Sequence, residues 1–368
     1  MQNAKKLILL AVMFSAVAIG LCLAKPLRRT VRQRAIKALQ LLNKYTQALD
    51  STKSFIEHYE QSTEFSYQVA GTQDEGKNFK RGQVRHDDQR IYFQQYTWGD
   101  YNIENKDMPE DKPHYNCNIV DGKKKMVYQN IRWINMPDSS GSAYRQPDQR
   151  TEYSLSGHFG ISYIVGYIGS HERLDAILRK AARISVRERT ENVRGSECFV
   201  IDADTKCGRY SVWLDPEHGF HPAKVRRRAK GGDYTRSHLM SKGETALTYL
   251  DTVRFEKVDG LWVPMEADSG CDKVTPQGYF VKEDYHYKRT QIILNPDHDK
   301  LGSFADPILE DPNNDPELVN GTRVEMMVDG RRIEYTWQDG KLVDANGREV
   351  NLEKLNKKAA KTKNAKPK

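Results

Sequence analysis

The sequence lacks the features of several protein classes. Beyond residues 7–23 it has no apolar run of about 20 residues, which excludes a polytopic membrane protein. It has five cysteines and no CxxC pair, so the spacing of a zinc site is missing. It also contains no GxSxG, Walker A, GxGxxG or HExxH motif. We therefore expect a protein that is not an enzyme and that needs no cofactor.

Aromatic residues are plentiful, and most of the excess positive charge lies in one segment. The 19 Tyr, 11 Phe and 5 Trp exclude a disordered chain, and the net charge of the 368 residues is +8. Residues 353–368 carry seven lysines against one glutamate. We expect a disordered, solubilising tail there; the alternative is contact with lipid headgroups or cell-wall polymer. Residues 224–230 are expected to be the solvent face of a strand, so nucleic acid is not an expected partner.

The N-terminus predicts export. Two lysines precede the apolar run of residues 7–23, and the small residue Ala24 follows it, as in a secretory signal. Cys22 follows Leu21 rather than a small residue, so we expect no lipidation. The run is also long enough to remain as an anchor helix. The basic cluster behind it opposes export, because positive charge favours the cytoplasmic side. We expect a periplasmic or otherwise extracytoplasmic protein, with residues 1–24 as signal peptide or anchor.

Hydrophobic periodicity predicts two helices followed by many strands. Apolar residues at three- and four-residue steps predict helices over residues 35–59 and 171–182, the second with Ser170 as its N-cap. Short β-rich runs separated by turn residues fill most of the rest. We predict strands over residues 64–70, 82–86, 90–98, 118–120, 125–129, 132–135, 184–190, 198–202, 210–214, 222–228, 245–258, 261–267, 279–293, 322–328, 331–338 and 341–343. Because the strands follow one another directly, we expect an antiparallel meander rather than a parallel sheet.

The cysteines and histidines offer two weak candidates for a special site. Cys198 and Cys207 flank a turn-like stretch, so the spacing allows a disulfide across a hairpin, and buried free thiols are the alternative. His218 and His221 lie three residues apart beside Asp215. Pro and Gly around them indicate a turn between strands, so we expect a structural turn rather than a metal site.

The strand of residues 90–98 has aromatic side chains on both faces. One face carries Tyr92, Tyr96 and Trp98, and the other carries Ile91 and Phe93. Two partly apolar faces are typical of a sheet with a core on one side and a semi-apolar concavity on the other. We therefore predict a cavity for a hydrophobic ligand, lined by either face. The alternative is ordinary core and surface.

The order of several motifs resembles the LolA/LolB-like superfamily of lipoprotein carriers of bacterial envelopes, shared with the N-terminal domain of the stress sensor RseB. The resemblance covers residues 35–293, and none of its motifs is specific alone. The segments that carry it are Tyr45…Leu49…Lys53-Ser-Phe55, Gly82-Gln-Val-Arg85 leading to Arg90-Ile-Tyr92, Asp121-Gly-Lys-Lys-Lys-Met-Val-Tyr128, Tyr210-Ser-Val-Trp-Leu-Asp-Pro216, Gly219…Pro222-Ala-Lys-Val225 and Asp259-Gly-Leu-Trp-Val-Pro264. The turn at residues 87–89 departs from the family, because it lacks the usual Pro and Gly.

The resemblance implies an α+β fold that is mainly antiparallel, an unclosed curved barrel packed over helices. It implies a half-barrel domain at residues 35–294. Composition and turn residues, not the resemblance, predict the segments that follow: a Pro/Asp-rich linker or arm at 295–320, a small β unit at 321–352 and the tail at 353–368. Family members hold acyl chains in their interior, so a lipid or lipoprotein acyl chain is the expected partner. The alternative is a non-catalytic structural, sensor or interaction module of the envelope without a lipid ligand. The candidate cavity residues are Ile91, Tyr92, Phe93, Tyr96, Trp98, Tyr128 and Trp213.

Overall fold

The computed structural model describes most of the chain from residue 31 to residue 350. The described residues are 31–69, 72–87, 90–99, 114–120, 124–131, 140–147, 166–168, 172–235, 239–304, 320–321, 323–328, 331–339 and 341–350. The signal or anchor at residues 1–24, the predicted strand 132–135 and the tail at 353–368 lie outside them. Among the described residues, no helix has the length and hydropathy needed to cross a bilayer.

Two helices pack together on one side of the sheet. Helix α1 occupies residues 31–51, and α2 is the short helix Leu174–Arg179. The Thr46 hydroxyl of α1 donates a hydrogen bond to Asp175 at 2.9 Å, and Arg173 forms ion pairs with Asp50 and Asp175. The predicted cap Ser170 lies outside the described residues. Arg173 occupies the N-cap position and provides no side-chain cap.

The prediction of a helix over residues 35–59 was wrong at its C-terminal end. The helix ends at residue 51, and the chain enters a strand at Phe55. Phe55, Glu57 and Tyr59 all point to the buried side, which is the two-residue period of a strand. The apolar spacing of this short stretch fits both periods, and pairing with two neighbouring strands decides the outcome.

The remaining elements of the described residues are strands. In chain order they are β1 (Phe55–Val69), β2 (Thr72–His86), β3 (Ile91–Gly99), β4 (His114–Val120), β5 (Lys124–Ile131), β6 (Ser140–Pro147), β7 (Arg183–Val186), β8 (Glu191–Val193), β9 (Ser196–Thr205), β10 (Gly208–Asp215), β11 (His221–Lys230), β12 (Thr245–Val258), β13 (Leu261–Val274), β14 (Phe280–Leu294), β15 (Arg323–Val328), β16 (Arg331–Gln338) and β17 (Lys341–Val343). The mainly antiparallel fold predicted from the sequence is confirmed.

The strands form one open sheet. Pairing gives the spatial order β7–β9–β10–β11–β12–β13–β14–β1–β2–β3–β4–β5–β6–β15–β16–β17, with β8 also beside β9. All pairs are antiparallel except β15 with β6, so the C-terminal strands extend the same sheet. β1 lies in the middle, between β14 and β2. Within the described residues no pairing joins the two ends of this order, and the barrel stays unclosed.

The core lies between the helices and one face of the sheet, which we call the inner face. Leu42, Tyr45 and Leu49 of α1 pack in the same hydrophobic cluster as Ile177 and Leu178 of α2. The sheet contributes alternate residues of its strands to this cluster, including Phe55, Tyr59, Val84, Ile91, Phe93, Val212, Leu214, Val225, Leu250, Val263, Met265 and Tyr287. The strand period of two thus places one apolar row per strand against the helices.

A buried ion pair lies within this apolar cluster. Glu57 of β1 is fully buried, and its carboxylate pairs with the Arg289 guanidinium of β14. Tyr287 donates a hydrogen bond to Glu57 at 2.7 Å, and Arg289 donates a second one to the Pro264 carbonyl at 2.9 Å. Burial, and the nearby Glu57 charge, raise the pKa of the Tyr287 hydroxyl well above its usual value. The pair therefore joins β1, β13 and β14.

Removing one partner of this pair should be far more costly than removing an exposed pair. Arg289→Leu leaves the Glu57 charge buried without compensation, and we expect it to lower the free energy of unfolding by about 3–5 kcal/mol. Lys77→Ala removes an ion pair with Glu64 in which both side chains are exposed, and should cost less than about 1 kcal/mol. Urea unfolding of both variants checks this. Equal losses would contradict the expectation.

Candidate binding surfaces on the sheet

Strand β3 presents aromatic side chains to both faces, as predicted. Ile91 and Phe93 point to the inner face, and Tyr92, Tyr96 and Trp98 point to the opposite, outer face. The structure therefore does not bring the five β3 candidates together in one site. Each face has different neighbours.

On the inner face, Ile91 and Phe93 are packed. They are 0% and 1% exposed, and both belong to the cluster that contains the helices. The Tyr59 ring lies 6.2 Å from the Phe93 ring and 5.2 Å from the Tyr287 ring, centroid to centroid. These three rings form a row across β14, β1 and β3.

Gly82 on β2 is what allows this row to cross from β1 to β3. A Cβ at Gly82 would lie 2.7 Å from the Tyr59 hydroxyl oxygen and 2.8 Å from its ring, closer than atoms can approach. The hydroxyl of Tyr59 then reaches Gln95 on β3, 3.1 Å away. The missing side chain of Gly82 therefore provides the space that Tyr59 occupies.

On the outer face, three rings form a partly exposed patch that we call the outer aromatic surface: Phe79, Tyr96 and Trp98. Phe79 of β2 is paired with Trp98 in the sheet register and is 38% exposed, while Tyr96 and Trp98 are half-buried. The ring centroids are 5.9 Å apart for Phe79 and Trp98, and 6.2 Å apart for Tyr96 and Trp98. Sequence analysis did not identify Phe79, because residues 72–81 are polar and were not predicted as strand.

The segment after β14 covers the other end of this face. Arg85 stacks over the Tyr92 ring at 4.5 Å and donates a hydrogen bond to the Ser303 carbonyl at 3.2 Å. Phe304 lies under the Arg90 guanidinium, and His298 bonds the backbone of β2. Tyr92 is therefore buried, whereas the outer aromatic surface lies further along the strand. The described part of the predicted linker, residues 295–304, is thus docked on the sheet.

The last two candidates lie elsewhere. Trp213 of β10 is on the outer face of the distant part of the sheet, in a small cluster with Cys198, Val200 and Ala223. Its indole N–H donates to Glu191 at 2.8 Å, and Arg187 and Lys224 stack on its ring. Tyr128 is paired with Cys117 in the register of β5 and β4, and its side chain lies outside the described part.

The inner face becomes polar beyond the aromatic row. Gln61, Thr63 and Thr97 are buried there, and the Gln95 amide donates a hydrogen bond to the Thr97 hydroxyl at 3.0 Å. Lys80 lies between Gln61 and Thr97 in the sheet register. Burial lowers the pKa of the Lys80 ammonium group, and the charge of Glu283 opposes this. The inner face therefore combines an apolar half under the helices with a polar half that contains a cation.

The four cysteines of the described residues are free thiols, so the disulfide that the spacing of Cys198 and Cys207 allowed is absent. Cys198 lies near the start of β9, and Cys207 lies in the turn after its last residue. Seven strand residues separate Cys198 from the end of β9, which is a distance of roughly 20 Å, and a disulfide needs Cα atoms within about 7 Å. Strand β9 continues to Thr205, through most of the stretch where the sequence suggested a turn, and the two cysteines therefore do not face each other across a hairpin.

The segment with two histidines is a turn between β10 and β11, as expected. His218 bonds the buried carboxylate of Asp215 at 2.7 Å, stacks on the Phe255 ring and meets the Trp262 ring edge to face. His221 points away into the core and is 3% exposed. Among the described residues, no group of three or more His, Cys, Asp and Glu side chains could hold a metal ion.

Burial of His221 predicts a loss of stability in acid. Burial lowers the pKa of His221 to about 4, the hydrogen bond to the Trp262 backbone opposes this, and Arg289 and His218 lower it further. An unfolded histidine titrates near pH 6.5, so the unfolded state binds the proton first. The contribution is complete above about pH 6.5 and is lost as the pH falls through about 4, by up to about 3 kcal/mol. Urea unfolding of His221→Gln should show a flatter pH dependence between about pH 6.5 and 4 than the unmodified chain, and an unchanged dependence would contradict this assignment.

The two faces of the sheet around β3 should respond differently to truncation. Phe93→Ala leaves a cavity in the core, and we expect a loss of about 3–5 kcal/mol in the free energy of unfolding. Phe79→Ala removes a partly exposed ring and should cost less than about 1.5 kcal/mol. Urea unfolding of the two variants measures both values. A small loss for Phe93→Ala would mean that this ring lines an empty cavity.

Comparisons with known proteins find distant likenesses among solved structures. No protein-family model matches the chain, and no curated protein matches it. Among solved structures, it is similar to a DUF1329-family protein from Desulfovibrio piger (14% identity, 72% of this chain and 94% of that one, TM-score 0.32). A domain described as an outer-membrane lipoprotein-sorting protein from Vibrio parahaemolyticus has 13% identity, 72% and 94% coverage, and a TM-score of 0.34. A LolA-superfamily protein from Nitrosomonas europaea has 12% identity, 73% and 97% coverage, and a TM-score of 0.30.

These likenesses concern the fold. At identities of 12–14% and TM-scores of 0.30–0.34, they carry no argument about the ligand, the partner or the location of this chain. Proposals about the ligand, the partner and the location therefore have to rest on the residues of this chain.

Proposed function

We propose that this chain is a non-catalytic interaction module of the cell envelope, which binds a partner with an apolar surface at the outer aromatic surface. The observation that carries the proposal is the division of β3: Phe93 is packed under the helices, whereas Trp98 and its neighbour Phe79 are partly exposed. A ring that already fills the core contributes nothing to binding. An exposed ring contributes the area that a partner covers.

The location rests on the N-terminal sequence. The lysines and the apolar run of residues 7–23 are the features of a secretory signal, so the module would work outside the cytoplasm. The free thiols of the described residues are compatible with this, because Cys198 and Cys207 lie at opposite ends of β9, too far apart for a disulfide. The function needs no cofactor.

A carrier of a lipoprotein acyl chain is the second candidate. One observation favours it: the inner face beyond the aromatic row is polar and contains Lys80, whose charge burial disfavours. The anionic headgroup of an amphiphile would add to the partial compensation that Glu283 gives this charge, with the acyl chain lying along the strands. This candidate places the ligand on the inner face, opposite the outer aromatic surface, so the two are distinguishable.

Binding of an apolar probe separates the two candidates. We expect Phe79→Ala and Trp98→Ala to weaken binding of 1-anilinonaphthalene-8-sulfonate several-fold, because each removes contact area from the outer aromatic surface. The matched control is Leu39→Ala, which truncates a side chain of α1 that is 39% exposed and lies on the helix side of the sheet, away from the outer face. Fluorescence titration measures the affinities, and mass spectrometry of an organic extract of the purified protein looks for a lipid. A stoichiometric lipid that is retained by both variants and lost in Lys80→Gln would overturn the proposal in favour of the carrier.

A further inference from the structure

The loop between β11 and β12 exposes apolar side chains at one end of the sheet. Tyr234 and Leu239 are each 52% exposed and form an isolated antiparallel bridge with each other. The next residue, Met240, is 2% exposed and packs on Ala229 and Ala246 beneath the loop. The loop therefore buries one apolar side chain and leaves two in solvent, at a place where burial was available.

This loop is firmly attached to the sheet. The buried guanidinium of Arg227 donates one hydrogen bond to the Cys207 carbonyl at 2.7 Å and another to the Tyr234 carbonyl at 2.9 Å. The Tyr234 amide donates to the Lys206 carbonyl at 2.8 Å, which joins the loop to the β9–β10 turn. Arg227 is thus a buried cation that donates hydrogen bonds to backbone carbonyls of both loops. The two exposed side chains are held in place, and their exposure is not a consequence of fraying.

Four exposed cations lie close to this loop along the chain or through its contacts, and two of them, Arg228 and Lys230, point to the face of β11 opposite to Arg227. Lys206, Arg228, Lys230 and Lys242 are exposed, and no ion pair with a carboxylate is found for any of them in the described part of the chain. Arg228 is also directly opposite Arg209 in the register of β11 and β10, an arrangement that like charges disfavour. We call these four cations together with Tyr234 and Leu239 the basic tip.

The carboxylates of the loop do not neutralise the basic tip. Asp233 accepts a hydrogen bond from the Lys230 backbone N–H at 2.9 Å and brings one negative charge to the tip against the four cations. Glu244 is 4% exposed and pairs with Lys273 beneath the loop. The tip therefore keeps an excess of cations around an apolar centre.

We propose that the basic tip docks on the surface of a bilayer that contains anionic lipid, with Tyr234 and Leu239 entering the headgroup region. An aromatic residue and a leucine on a loop flanked by exposed lysine and arginine residues combine the two forces that hold a peripheral protein on a membrane. A soluble acidic polymer would be attracted by the cations, but it would gain nothing from the two exposed apolar side chains. This inference is independent of the outer aromatic surface, and it adds a contact separate from the Lys-rich tail.

Amide hydrogen exchange of the full chain tests this contact at the tip itself. The probes are vesicles of phosphatidylcholine with about 30% phosphatidylglycerol, and vesicles of phosphatidylcholine alone. We expect slower exchange in residues 230–244 with the anionic vesicles and little change with the neutral ones. Because the apolar N-terminus and the tail are followed as separate peptides, their own binding does not obscure the result. Protection of those two segments without protection of residues 230–244 would overturn the proposal.

Two variants measure how much the apolar side chains and the cations of the basic tip each contribute to binding. Leu239→Ser should weaken protection of the tip in a vesicle titration by about tenfold, and Lys230→Gln by about fivefold. The matched controls are Leu301→Ser and Lys300→Gln, which change an exposed leucine and an exposed lysine in the segment beside β2. Both tip residues are exposed, so urea midpoints should stay unchanged and confirm that the variants fold. If Leu239→Ser has no effect while poly-glutamate protects residues 230–244 as well as vesicles do, the partner is an acidic polymer and the bilayer proposal fails.

Discussion

The row of rings from Tyr287 through Tyr59 to Phe93 is the contact on which the arrangement of the sheet depends. It crosses β2 at Gly82, where no side chain is present to block the Tyr59 ring. The same row lies under α1 and α2, so the helices have a continuous apolar surface to pack on. Beside it, the buried pair of Glu57 and Arg289 ties β1 to β14. An ion pair in such a place is stabilising only when its hydrogen bonds are made, which constrains the register of three strands.

This core determines what the two faces of β3 can do. Once Phe93 fills the space under the helices, it is no longer available to a ligand, and the side chains of the outer face are the ones that remain accessible. The segment of residues 295–304 then covers Tyr92 but leaves Phe79 partly exposed. Charge follows a similar separation: Arg227 is buried and braces a loop, whereas Arg228 next to it faces solvent. Side chains alternate between the two faces along a strand, so neighbouring residues can have different roles: Arg227 holds a loop, and Arg228 is accessible to a partner.

Sequence patterns were reliable where one period extended over many residues. Residues 245–258, 331–338 and 341–343 were predicted with the bounds that the structure has. The failures occurred where the local pattern was ambiguous. The stretch from Phe55 to Tyr59 continued a helical spacing by chance, and β2 was missed over residues 72–81 because polar and charged residues occupy both of its faces. Phe79 was missed with it.

The sequence alone determined that this chain forms many antiparallel strands with two helices on one side, because alternation and turn residues are local properties. It also determined that β3 carries aromatic residues on both faces. Only the tertiary structure decided which of those faces is core, since that depends on where α1, β1 and β14 come to lie. The position of β1 between β2 and β14 pairs residues more than 200 positions apart, as in Tyr59 with Arg289. No local pattern encodes such a contact, because its free energy comes from burial between segments that are distant in the chain.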